Sequence, residues 1–245
     1  MKNNLIALVV LLIAAMAVPA LAQSSKRGEE GINAAAASLK MTFPRLEFDS
    51  IHPTPIDGMY EVLSGDRIIY FVPRTQHLIY GEIWDAQGQS LTRARQAQIM
   101  SDRIKDLPLD KALKIGSGKN IVIEVTDPDC PFCRKGSEFL GQRDDVTRYI
   151  FFYPLTRIHP EAEGKARYVL SSKNPADAYE DVMHGRYDGR PLPEFEDNKQ
   201  LEAHLEIVNK LGVRGTPKFW INGTYLSGAD LQAMEQLLGA PAQKQ

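Results

Sequence analysis

Cysteine is scarce in this sequence. Cys130 and Cys133 are the only two among 245 residues, which excludes a scaffold stapled by disulfides. A surplus of charge is missing as well. Lys and Arg number 29, Asp and Glu 31, the formal net charge is −2, and no long basic run occurs, so nothing supports nucleic-acid binding. The five histidines (His52, His77, His159, His184, His204) are scattered. Neither a second C-x-x-C nor an H-x-x-x-H joins the cysteines, so no zinc-ligand set is completed and no metal is expected. Gly116-Ser117-Gly118-Lys119 fails as a phosphate loop, because Leu113 stands where the first glycine belongs and Asn120 where Ser or Thr belongs. It reads as a turn. What remains is ordinary for a soluble globular protein, 43% hydrophobic and 24% charged. The length suits one large or two modest domains.

The one long apolar stretch, Leu5 to Val18, follows Lys2 and ends at Pro19. Ala20-Leu21-Ala22 then forms an A-x-A site before Gln23. The pattern predicts a signal peptide over residues 1–22, cleaved to give a mature chain from Gln23. The apolar core is short for a membrane span, and an uncleaved anchor is the alternative. Its brevity and single Lys point to a bacterial periplasm, where disulfides form and persist.

The central stretch is IVIEVTDPDCPFCRKGSEFL, Ile121–Leu140. Ile121–Val125 reads as a buried strand interrupted only by Glu124. Thr126-Asp127-Pro128-Asp129 is turn chemistry, and Cys130-Pro131-Phe132-Cys133 opens an amphipathic helix. Strand, C-x-x-C and helix form a thioredoxin-like redox arrangement. A thiolate is the nucleophile in such chemistry. Cys130 falls where unpaired helix N–H groups and the positive end of the macrodipole favour its anion. Pro131 suits the first turn, where no N–H partner is lost. Cys133, one turn on, can attack a mixed disulfide formed at Cys130. An inert local disulfide is the plainer alternative, but so short a loop gains little from closure. Glu124, a carboxyl in an apolar strand six residues before Cys130, is expected to be the proton acceptor for Cys133. The plainer alternative is an edge-strand Glu facing water. Arg134 and Lys135 are expected to favour the Cys130 anion, and Asp127 and Asp129 to oppose it.

Upstream, residues 25–42 read as a helix with Ile32, Ala35, Ala36 and Leu39 on one face. Arg45–Ile51, Met59–Ser64, Arg67–Val72 and His77–Ile83 read as short strands separated by turns. This small α+β unit has modest apolar content, and pairing with a second copy is expected to stabilise it. Ser90–Asp106 reads as a polar helix, more a connector than a core element.

Downstream, Arg148–Tyr153 reads as a buried strand, and residues 160–211 as mostly helical. Gly215-Thr216-Pro217 then precedes the apolar strand Lys218–Ile221. Asn222-Gly223 is a hairpin turn leading to Thr224–Leu226, and Ala229–Leu238 closes the pattern as an amphipathic helix. Asn222-Gly223-Thr224 also fits a glycosylation sequon, but the turn accounts for it. A proline heading a central strand is unusual.

These elements resemble the DsbC/DsbG family of periplasmic thiol:disulfide interchange proteins. The matches are Thr126-Asp127 before the C-x-x-C, LGVRGTPKFWINGTYLSG (Leu211–Gly228) and IHPTPIDGMYEVLSGDRIIYF (Ile51–Phe71). The resemblance implies a cystatin-like dimerisation domain over residues 23–88 and a linker helix over 89–110. It also implies an α/β thioredoxin-like catalytic domain over 111–245, with a helical insertion over about 156–211. Cys130 would attack and Cys133 would resolve. Thr216 and a cis Pro217 would form a substrate-docking loop facing the C-x-x-C, the client adding as a strand. Pro131 and Phe132 would touch the client. Two catalytic domains would face each other across an apolar cleft. The partners implied are exported disulfide-containing proteins, a second copy of the chain and a membrane thiol reductase of the DsbD type. The redox-active Cys130–Cys133 pair would be the whole redox apparatus, with no cofactor. The expected activity is isomerisation or reduction of wrong disulfides. The alternatives are DsbG-like reduction of sulfenylated cysteines, and a dimeric holdase in which the thiols are incidental. Two departures stand out: no second, structural cysteine pair, and a Pro131-Phe132 dipeptide between the family's isomerase and DsbG forms.

Overall fold

The computed structural model describes residues 28–240. The signal peptide expected over residues 1–22 and the cleavage site before Gln23 lie outside the described residues. The chain divides into two compact units between Gly81 and Glu82. Among the described residues no helix is long and apolar enough to cross a membrane.

In the first unit, helix α1 (residues 28–42) covers an antiparallel sheet of β1 (Ser50–Pro53), β2 (Tyr60–Ser64), β3 (Arg67–Val72) and β4 (His77–Ile79), in that order. Ala35 and Leu39, one turn apart on α1, meet Ile51, Val62, Ile69 and Phe71 in the core. The β2–β3 hairpin turns at Gly65, whose φ of 61° suits a residue without Cβ. Two strands are shorter than the sequence suggests. Residues 45–49 lie outside the ladder: Pro44 sits in a turn closed by Leu46 N–H on Phe43 O. Phe43, Leu46 and Phe48 still pack on the core, so their burial mimics strand alternation. β4 ends at Ile79, before the exposed Tyr80.

The second unit is built on a five-stranded sheet. It contains α2 (Leu91–Arg103), a short 3-10 turn (Leu109–Lys111), β5 (Leu113–Gly116), β6 (Asn120–Thr126), α3 (Pro131–Gly141) and β7 (Val146–Phe152). Then come α4 (Ala162–Ser171), α5 (Pro175–Met183), α6 (Gln200–Lys210), β8 (Lys218–Ile221), β9 (Thr224–Ser227) and α7 (Leu231–Leu238). The strand order is β5-β7-β6-β8-β9, with β6 and β7 parallel and the other pairs antiparallel. The β-α-β half, β6-α3-β7, thus meets the β8-β9 hairpin along β6, and α4–α6 are inserted between them.

The central strand β6 is buried on both faces. Val122 packs with Leu140, Phe219 and Met234 on one face. Ile123 and Val125 pack with Phe151, Val208 and Trp220 on the other. The close approach of α3 to the sheet depends on Gly136, where a Cβ would lie 2.7 Å from the Phe219 ring.

Two expectations change here. The helix read as a connector is packed: Met100 is fully buried, the Trp220 indole donates to Met100 O at 2.9 Å, and Arg103 donates to Leu211 O at 2.7 Å. Only one stripe of α2 is apolar, and that stripe is the one that docks. The segment ahead of β6, read only as a turn, contains strand β5. Its four residues alternate between half-buried and exposed, too brief a signal to read from sequence. The turn itself begins at Gly116 (φ 82°), and at Gly118 a Cβ would overlap the Asp145 backbone.

Candidate active site

Strand β6 ends at Thr126, and the turn that follows delivers Cys130 to the N-cap of α3 with Pro131 in the first turn. The Cys130 N–H is held by Asp127 O at 3.1 Å. Its sulfur therefore sits at the open N-terminus of an 11-residue helix. Cys133 is fully buried, whereas Cys130 keeps 5% of its surface exposed, so access is confined to the first thiol. Beside it Phe132 is 64% exposed.

The environment splits the two thiols. Cys130 is lowered to about 6, chiefly because the Cys133 thiol hydrogen-bonds its sulfur. The N–H groups of Cys133 and Phe132 and the Thr216 hydroxyl act in the same direction, while burial opposes them. Cys133 is pushed well above its ordinary value, first by burial and then by its role as donor to Cys130. The second sulfur also accepts the Asp127 N–H at 3.4 Å. One thiol is thus poised as a thiolate near neutral pH and the other is held as a thiol.

Thr216-Pro217 is a cis peptide bond at the head of β8. The Cys130 sulfur lies 3.9 Å from Thr216 O, so this loop and the C-x-x-C face each other across 86 positions of sequence.

Glu124 is fully buried on β6. The premise that it stands alone in apolar surroundings does not hold. Its Oε2 accepts from Arg148 Nη2 at 2.9 Å and its Oε1 from the Tyr179 hydroxyl at 3.0 Å. The same Arg148 nitrogen also contacts Ser137 Oγ at 3.0 Å. Arg148 was visible in the sequence only as one charge in a strand.

Arg134, expected to favour the Cys130 anion, is committed to hydrogen bonds elsewhere. It donates through Nε to Pro128 O, and through its terminal nitrogens to Asp129 and Asp188. Lys165 of α4, only 3% exposed along its side chain, bridges the same two carboxylates at 2.6 and 2.8 Å. Asp127 was also missed as an organiser. Its fully buried carboxylate accepts from Asp129 N–H, Leu155 N–H and His159 Nδ1. A turn Asp and a distant His carry no joint signal in a single sequence.

A buried dithiol at a helix N-terminus, facing a cis proline at the head of the neighbouring strand of a mixed sheet, defines a thioredoxin-like protein built for thiol chemistry. Comparison with known proteins agrees: residues 107–239 match the thioredoxin-like domain model, and residues 19–93 match the disulfide bond isomerase protein N-terminal domain. The chain belongs to the DsbC family. It is 30% identical over 193 residues to a probable thiol:disulfide interchange protein DsbC of Bordetella avium, covering 77% of this chain and 68% of that one. It is also 30% identical to the Bordetella parapertussis protein of the same description, of which the match spans 66% of the length. Thiol:disulfide interchange protein DsbC of Escherichia coli K12 is 24% identical over 78% of this chain and 82% of that one. A solved disulfide interchange protein from Neisseria gonorrhoeae aligns over 53% of this chain and 94% of that one, with 31% identity and a TM-score of 0.47.

Proposed function

We propose that this protein is a thiol:disulfide isomerase and reductase acting on wrongly paired disulfides of exported proteins. The observation that carries the reading is the Cys130 sulfur, set at a helix N-terminus and directed at the Thr216 carbonyl. In this reading the Cys130 thiolate attacks a client disulfide. One client sulfur becomes bonded to Cys130 and the other leaves as a thiolate. The freed thiolate attacks another client disulfide, and the thiolate displaced there attacks the client sulfur held on Cys130, which forms the rearranged disulfide and returns Cys130 as a thiolate. If the client stalls, Cys133 attacks the Cys130 sulfur, releasing the client reduced and leaving a Cys130–Cys133 disulfide. The client's backbone adds alongside Thr216-Pro217 as a strand, and Pro131 and Phe132 meet its side chains.

The remaining parts of the reading are a cleaved signal peptide, a periplasmic location and re-reduction by a DsbD-type membrane protein. A homodimer forms through the amino-terminal unit, whose match to an isomerase N-terminal domain supports it. No cofactor takes part beyond the dithiol.

Refolding of a scrambled multi-disulfide substrate, with the reduction potential measured on the same sample, tests the reading. We expect rescue by the reduced protein and a potential clearly below ~−120 mV, the strongly oxidising end of the thioredoxin-like range. Absence of rescue, or a potential at that end, contradicts it. Cys130→Ala is expected to abolish rescue of scrambled disulfides; suppression of client aggregation, the activity of a holdase with incidental thiols, would be unaffected.

A further inference from the structure

The sheet register sets what borders the Cys130 turn. Parallel β6 and β7 end level, with Thr126 paired to Phe152, and antiparallel β8 begins at the same edge, with Lys218 paired to Val125. In the order β7-β6-β8, the cysteine turn leaves the middle strand. Thr216-Pro217 enters β8 on one side, and residues 153–160 leave β7 on the other.

That second segment is fastened to the cysteine turn. Tyr153 N–H donates to Thr126 O at 2.7 Å. Leu155 N–H donates to Asp127 Oδ2 at 2.7 Å, and His159 Nδ1 lies 2.9 Å from the same oxygen. Asp127 O accepts the Cys130 N–H, and Asp127 N–H reaches the Cys133 sulfur. One residue thus holds both the dithiol and this segment. Ile158 N–H and His159 N–H both donate to Leu155 O at 2.9 Å, so Ile158 sits within a tight turn. Ile158 is 67% exposed, the most exposed large apolar side chain among the described residues of the second unit, and Phe132 beside Cys130 is the next. One exposed isoleucine is ordinary. Here the two greatest exposures fall on two segments bound to one nucleophile's turn. A client sulfur bonded to Cys130 brings its neighbouring residues onto this edge, and a wrongly paired client presents apolar side chains that its native fold would bury.

We infer that Ile158 is a specificity-determining residue: on the side of Cys130 away from Thr216-Pro217 it receives a bulky apolar side chain next to the client's attacked cysteine. It thereby directs Cys130 to disulfides set in exposed core sequence. The contact takes apolar surface of both partners out of water. Because Asp127 already fixes the turn, little ordering is left to oppose binding.

This inference rests on Cys130 being the nucleophile, and one assay separates the two claims. The probes are two short peptides, each with one cysteine joined by a disulfide to the same nitroaryl thiol. Leu and Phe flank the cysteine in one peptide, and Ser flanks it on both sides in the other. A symmetrical nitroaryl disulfide is the third probe. The Cys130 thiolate attacks the peptide sulfur, a Cys130–peptide disulfide forms, and the bond to the nitroaryl sulfur breaks. The coloured thiolate leaves because it is the better leaving group, and its initial rate of release measures the attack. At pH 7 we expect the reduced wild type to react about tenfold faster with the apolar peptide than with the Ser peptide. Ile158→Ser should slow the apolar peptide about fivefold, and leave the Ser peptide and the small disulfide within about twofold of wild type. Ile158→Leu should keep the preference. No preference in the wild type, or an unchanged preference in Ile158→Ser, overturns the inference. An equal loss on all three probes also overturns it, because a merely structural role of the turn slows every attack alike. Undiminished colour release by Cys130→Ala overturns the Cys130 reading itself and this inference with it.

Discussion

Arg134, in the first turn of the helix that Cys130 caps, donates both terminal nitrogens to the carboxylate of Asp188, at 2.6 and 2.7 Å. The pair spans 54 positions and fastens the helical insertion to the redox helix. It holds Asp188 far below the usual carboxylate range. Lys165 completes the clasp from α4, so the loop carrying Cys130 is fixed from outside as well as by its own turn.

Lys165 is the member of this clasp most removed from water. Lys165→Ala leaves Asp129 and the half-exposed Asp188 sharing Arg134, so the loss is that of hydrogen bonds to a charged group, about 1.5–3 kcal/mol. We expect the unfolding free energy to fall by that amount, measured by urea unfolding of the reduced protein. A change within the range of an exposed ion pair, about 0–1 kcal/mol, contradicts the assignment.

Glu124 and Arg148 form an ion pair with both side chains almost fully buried. Glu124→Gln leaves a buried guanidinium without its main counter-charge, and we expect a loss of about 3–5 kcal/mol. The same variant tests the proton-acceptor role read from the sequence. If Glu124 takes the Cys133 proton, resolution by Cys133 of a mixed disulfide preformed at Cys130 slows at every pH. If it serves only to hold Arg148, that rate is unchanged while stability falls.

Burial pushes the His204 imidazole down to about 4; its Nδ1 accepts the Phe152 N–H and its Nε2 donates to Lys111 O. A folded value below that of the unfolded chain, ~6.5, means the unfolded state binds more protons between the two. Stability is therefore fully present above about pH 6.5 and declines toward pH 4, by about 1.4 kcal/mol per pH unit. Urea unfolding at pH 7 and pH 5 should show a loss of about 2 kcal/mol from this group, and His204→Asn should remove that slope. An equal pH dependence in the variant contradicts the claim.

The parts of the fold legible in the sequence are those whose signals are local. The C-x-x-C at a helix head, the proline before β8 and the Asn222-Gly223 turn each depend on a few adjacent residues, and the described structure contains all three. Strand β5 was hidden because four half-buried residues carry little periodic signal. The polar surface of α2 concealed Met100, whose burial depends on Trp220, 120 positions away. The charge network was illegible for the same reason. Asp127 and His159 are 32 positions apart, and Glu124 and Arg148 are 24 apart. Only the sheet register brings the latter together: Glu124 pairs with Ile150, two residues beyond Arg148 on the same face of β7.

The central claim is that Cys130 is a thiolate near neutral pH while Cys133 is not. Alkylation of the fully reduced protein across a pH series, with peptide mapping, measures this directly. The account predicts modification of Cys130 alone, with a midpoint of about 6. A midpoint near the ordinary thiol value of ~8.5, or first modification at Cys133, would contradict it.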